Sequence, residues 1–142
     1  MLSTIVEASE NFCIHQIREP HNIKDDIDKK RTLIAYIDID THDGKTYRVY
    51  IACEKDFVQK ISKVFLEEEE SDEETLIDML LETTNLIVGS AKVIAEEANI
   101  NPYTINTPHF VNIDDFNLDY DDAKLIQVGD TSMIIAIKEL NA

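Results

Sequence analysis

Ser71-Asp72-Glu73-Glu74-Thr75-Leu76-Ile77-Asp78-Met79-Leu80-Leu81-Glu82-Thr83-Thr84-Asn85-Leu86-Ile87-Val88-Gly89 is the stretch on which the reading of the fold turns. Together with the residues up to about Asn99 it reads as one long helix. Leu76, Leu80, Ile87 and Ile94, with Ala91 and Ala98 among them, recur at helical spacing and predict a face turned to a core. Asp78, Glu82, Asn85 and Gly89 are spaced by four, three and four. At 3.6 residues per turn they share an arc of roughly 60° on the other side. Ser71 to Glu74 fits a capping box, in which the Ser hydroxyl accepts from the third helical amide and the Glu carboxylate reaches back. Asp72, Glu73 and Glu74 also set negative charge where the helix dipole favours it.

Two members of the polar stripe are poor choices for a solvated helix. Asn85 and Gly89 have low helix propensity, and glycine costs about 0.8–1 kcal/mol relative to alanine in a helix interior. Lys, Gln or Glu would serve solubility better. A glycine there leaves room for another backbone to approach. Spacing alone fits either a contact surface or a plain solvated face with one tolerated glycine.

Working outward, Glu54 to about Glu68 predicts a shorter helix with Phe57, Ile61, Val64 and Phe65 as its buried stripe. Between the two helices, Glu67, Glu68, Glu69, Glu70, Asp72, Glu73 and Glu74 crowd seven carboxylates into eight positions, read as a solvated loop. Further upstream, Thr32 to Asp40 alternates. Leu33, Ala35, Ile37 and Ile39 lie to one side, and Ile34, Tyr36, Asp38 and Asp40 to the other, as in a strand with one face buried. Asp43-Gly44 is a turn signal and Tyr47 to Cys53 resumes the alternation, which makes a hairpin. His21 to Lys30 is a polar loop or an edge strand, and Leu2 to about Ile17 an amphipathic helix closed by Glu19-Pro20.

Downstream, Asn101-Pro102 ends the long helix. Tyr103 to Val111 is a strand broken by Pro108, a residue confined to edges or bulges. Asn112 to Asp122 reads as an acidic loop. Lys124 to Val128, a Gly129-Asp130 turn and Ser132 to Glu139 form a closing hairpin. Strands and helices do not alternate one for one. The expectation is therefore an α+β fold with a largely antiparallel sheet and long helices on one face, over residues 1–142 as a single domain.

The chain has 142 residues, 44% of them hydrophobic, and a net charge of −16. This argues against nucleic acid, whose binding runs on Lys and Arg neutralising phosphates, and against anionic membrane surfaces. No run approaches the roughly 20 apolar residues that span a bilayer. Glu7 and Glu10 interrupt the apolar character of the N-terminus, so no secretory signal is read and a cytoplasmic location is expected. Cys13 and Cys53 sit in apolar patterns and read as buried free thiols. His15, His21, His42 and His109 lack zinc-ligand spacing, and Asp38 to Gly44 lacks the spacing of a calcium loop. No metal site is expected.

Asp78-x3-Glu82-x2-Asn85-x3-Gly89 resembles the signature of the CheC/CheX/FliY family of bacterial chemotaxis phosphatases. The likeness extends to the layout over about residues 30–140: hairpin, helix, acidic linker, signature helix, Thr107-Pro108 strand, hairpin with a glycine turn. A single signature is closest to CheX, since CheC and FliY usually carry two. Ser90, where Asn is common, and Asn112, where Gly often stands, depart from the pattern. The resemblance implies a CheX-like domain that hydrolyses the aspartyl phosphate of a CheY-type response regulator. It implies that Asn85 positions the attacking water and that Glu82 pairs with the regulator's active-site lysine. Gly89 would admit the partner, and Asp78 would stand at the rim as a docking or helix-stabilising charge. No cofactor of its own is implied, the Mg²⁺ being supplied by the phosphorylated partner, and a homodimer is implied as well. The competing expectation is a non-catalytic adaptor of the flagellar switch, which would bind a regulator or motor component without needing Glu82 and Asn85 together.

Overall fold

A computed structural model describes residues 1–27 and 30–140. The first helix, α1 (Leu2–Phe12), runs into a π-helical turn, Cys13–Ile17. That turn ends at Arg18, whose φ of 60° is left-handed and whose N–H closes on the Cys13 carbonyl. The strands are β1 (His21–Lys24), β2 (Arg31–Thr41), β3 (Thr46–Cys53), β4 (Tyr103–Ile105), β5 (His109–Asp115), β6 (Asp122–Val128) and β7 (Thr131–Glu139). Between β3 and β4 lie α2 (Lys55–Leu66) and α3 (Glu73–Glu97). The fold is α+β, with a sheet ordered β1-β6-β7-β3-β2-β4 and β5 also paired with β2. Every pairing is antiparallel.

The predicted alternation in β2 is correct for the helix-facing side. Leu33, Ala35, Ile37 and Ile39 are buried and share one core with Phe57, Ile61, Leu76, Leu80, Ile87 and Ala91. The other side of the sheet is not left to solvent. Ile34 joins Tyr50, Ala52, Leu125, Ile134 and Ala136 in a second, smaller core, roofed by Phe116 from the segment after β5. The one-faced reading of β2 therefore needs correcting. The chain returns over the sheet, and its ring stands edge-on to Tyr50 at 5.7 Å between centroids.

Other expectations are corrected in detail. Val64 and Phe65 are 43% and 40% exposed, while Val58 and Ser62 are buried in α2. Phe57 and Ile61 keep their predicted places, and the buried arc of α2 extends toward Val58 and Ser62 instead of Val64 and Phe65. Ser71 does not cap α3; the cap is Asp72, whose Oδ1 accepts from the Thr75 N–H at 2.8 Å. Ser71 is instead buried, with its hydroxyl on Ser62 and Glu68 and its N–H on Gln59. Ala98 is exposed beyond the last turn, and Ala95 takes the buried place. Asn112 to Asp115 is strand, paired with Arg31 to Ile34, where a loop was expected.

Candidate functional site

The signature helix is set down on the sheet by its buried arc. Leu76, Leu80, Thr83, Thr84, Ile87, Val88 and Ala91 are buried. Thr84 donates its hydroxyl back to the Leu80 carbonyl at 2.8 Å, so a polar residue is accommodated inside the packed face. Tyr103 at the start of β4 is fully buried and donates its O–H to the Val88 carbonyl at 3.2 Å. Burial pushes that phenol above the ordinary tyrosine range, so it remains a donor. Core packing and this bond fix the rotation of α3 about its axis, and so decide which residues face outward.

Among those residues are the predicted four, beside Leu86, Ser90 and Val93. Asp78, Glu82 and Asn85 are exposed and Gly89 is half-buried. Among the described residues, none of the three polar side chains makes an intramolecular hydrogen bond or ion pair. Elsewhere the acidic side chains near the sheet are engaged. Asp38 holds Arg48 through two bonds of 2.8 and 3.0 Å. Asp40 accepts from Thr46 and Asn106, and Asp43 accepts from Thr41. The stripe is thus a row of solvent-facing polar groups with no partner among the described residues. A Cβ built on Gly89 would meet nothing within 4 Å, so neither internal packing nor backbone conformation requires glycine there.

Asp78, Leu81, Glu82 and Asn85 form one wall of an open groove of about 670 Å³. The opposite wall is Ile105, Asn106, Thr107 and Pro108, the connection from β4 to β5. Sequence reading missed Asn106 as part of the site and treated Thr107-Pro108 as a broken strand only. Pro108 did signal a departure from regular pairing, but not its direction. Asn106 anchors this wall. Its N–H and its Nδ2 both donate to the Asp38 carbonyl, at 2.9 and 3.0 Å, and Nδ2 also reaches Asp40 Oδ2 at 3.0 Å. The Asn106 bond, then that of Thr46, hold the Asp40 carboxyl below its ordinary pKa.

The chemistry available here is polar positioning. An amide donates and accepts at once without titrating, and a carboxylate accepts from a cation. Among the described residues no group of three or more His, Cys, Asp or Glu side chains is arranged to hold a metal ion. No helix among them is long and apolar enough to cross a membrane.

Comparison with known proteins places this geometry in a family. No curated protein is similar enough in sequence to be matched. In structure, the chain resembles chemotaxis protein CheX from Desulfovibrio desulfuricans, with a TM-score of 0.74 at 16% identity over 97% of each chain. It resembles CheX from Vibrio vulnificus with a TM-score of 0.72 at 17% identity, over 95% of this chain and 97% of that one. A third similar structure belongs to a CheX–CheY–BeF3–Mg²⁺ complex from Borrelia burgdorferi, with a TM-score of 0.68, 15% identity and 97% of each chain covered. At these identities the structures speak for the fold. In sequence, the family model for the chemotaxis phosphatase CheX matches residues 36–132, a span that holds the whole signature helix and both walls of the groove. With well over half of its length matched and its sheet and helices arranged as in the CheX structures, the chain belongs to the CheX family.

Proposed function

We propose that this protein accelerates hydrolysis of the aspartyl phosphate of a CheY-type response regulator. The observation that carries the reading is the pairing of Glu82 and Asn85, one turn apart, outward-facing and without a partner among the described residues, on a helix with an open position at Gly89. The Borrelia burgdorferi complex, in which a CheX is held with CheY, BeF3 and Mg²⁺, supports the choice of partner. In this reading residues 1–142 act as one domain in the cytoplasm and bring no cofactor. Mg²⁺ stands in the regulator's site and neutralises charge on the phosphoryl group.

The division of labour follows from the side chains. Asn85 accepts a hydrogen bond from a water through its side-chain carbonyl while its amide N–H remains a donor, which holds the water in line with the phosphorus. Positioning of this kind, with electrostatic stabilisation, is most of what phosphoryl transfer asks of a protein. Glu82 accepts from the regulator's active-site lysine and fixes the approach of the two proteins. Asp78 stands one turn earlier at the rim, and Gly89 lets the partner's backbone come close. A homodimer belongs to the same proposal, and light scattering of the purified protein tests it.

The test is the decay of a phosphorylated CheY-type regulator from the same organism, with and without this protein. Acceleration is expected. Asn85→Ala is expected to reduce it by ~10²-fold or more while folding is retained, because alanine is the better helix former. Unchanged activity in that variant would remove Asn85 from the mechanism. Glu82→Ala is expected to lower kcat/KM with no change in melting temperature; a change in melting temperature alone would make Glu82 structural. Binding without acceleration would assign the adaptor role instead.

A further inference from the structure

The signature stripe is only one side of the groove, and the other side is built with equal care. β4 pairs Ile105 with Ile39, and β5 pairs His109 with Tyr36. Between these two points Asn106, Thr107 and Pro108 stand opposite Ile37 and Asp38, one residue more than the strand they face. The surplus makes the connection bulge out of the sheet, a device that re-aims side chains. Pro108 has no N–H to give to a ladder and its ring limits φ. Asn106 is held to β2 by three hydrogen bonds, and β4 is held to α3 through Tyr103 and Val88. With these ties on one side and the pairing of His109 with Tyr36 on the other, the bulge has its conformation fixed before any partner arrives. At its apex Thr107 is exposed and lines the groove, and among the described residues its hydroxyl makes no hydrogen bond.

We propose that the 105–108 connection is the second jaw of the docking site and that Thr107 is its specificity-determining residue, hydrogen-bonding the regulator's surface beside the aspartyl phosphate. This rests on the phosphatase reading above. A helix ridge presents a single line of contact, about which a partner could still pivot. A second contact across the groove removes that freedom and holds Asn85 against the phosphoryl group in one orientation. The hydroxyl can donate or accept, so it suits either a main-chain carbonyl or a main-chain amide of the partner. Asn106 acts through Thr107 and is a positioning residue.

The experiment uses the full chain with the phosphorylated regulator for kinetics and the beryllofluoride-activated regulator for binding. Thr107→Val keeps the β-branched shape and removes the hydroxyl. It is expected to raise KM and Kd roughly fivefold with kcat and melting temperature unchanged. Thr107→Trp fills the groove from the far side and is expected to abolish binding while the isolated protein folds normally. Wild-type affinity in both variants would overturn the second jaw while leaving the Asn85 result intact. A fall in kcat at unchanged KM in Thr107→Val would also overturn it. If the wild-type protein neither binds the regulator nor speeds its dephosphorylation, the phosphatase reading fails first and this proposal with it.

Discussion

Gly89 is the residue at which stability and the proposed function pull apart. It lies in the interior of α3, and a methyl group there would touch nothing within 4 Å in the isolated protein. Gly89→Ala is therefore expected to stabilise the fold by about 0.8–1 kcal/mol and to weaken turnover of the phosphorylated regulator. Denaturant titration and a phosphate-release assay read the two effects separately. Stabilisation with undiminished turnover would remove the glycine from the docking surface. The stripe itself was legible because a helix carries a four-three-four spacing faithfully to one side. Less legible were Ser71 and Asp72, neighbours that can both cap a helix. The choice between them was made by Ser62 and Glu68, which draw Ser71 inward, and by Asp72 reaching the Thr75 amide. No local pattern contains that competition.

At the scale of elements, β4, its bulge and β5 act as one strand folded around an exception. The exception depends on a carboxylate. Asp40 accepts from Asn106 and from Thr46, and these bonds depress its folded pKa below the ordinary 3.8. Because the folded value is the lower one, the stabilisation is complete above the unfolded pKa and is lost as pH falls through the folded pKa. Acidification below about 4 is thus expected to loosen the bulge before it unfolds the sheet. Amide exchange at Asn106 and Thr107 measures this, and in Asp40→Asn the acid-dependent component should vanish. A protection factor at Asn106, with the intrinsic exchange rate at each pH divided out, that stays flat across that range in the wild type would sink the idea. The hairpins and helices were readable from period and turn residues. The strand character of Asn112 to Asp115 was not, because its polar residues lie along the outer side of β2, where pairing demands backbone and little burial.

Over the whole molecule, the two cysteines show how completely the helix layer seals the sheet. Cys13 and Cys53 are free and buried. Burial, and then the charge of Glu10, push the Cys13 thiol up to about 11. Burial drives Cys53 higher still, above the ordinary thiol range. At pH 8 neither is expected to react with iodoacetamide until the protein opens, so labelling across a urea series should follow the unfolding curve. Rapid stoichiometric labelling without denaturant would contradict the sealed core. The fold class was legible in sequence as a count of hairpins and helices. The order of the sheet was not, since β1 finds β6 across most of the chain, a pairing that only three-dimensional closure selects. That order also governs the birth of the molecule. β7, which follows the other described strands in chain order, is an inner strand between β6 and β3. While residues 131–139 are still within the ribosome, β3 has an open edge and the core beneath α2 lacks Met133, Ile135 and Ile137. Unpaired edges and uncovered apolar faces are the features that draw aggregation. In chain order the signature helix therefore comes before the strand that closes the sheet beneath it, and until β7 docks, the open edge of β3 is a place for wrong pairing.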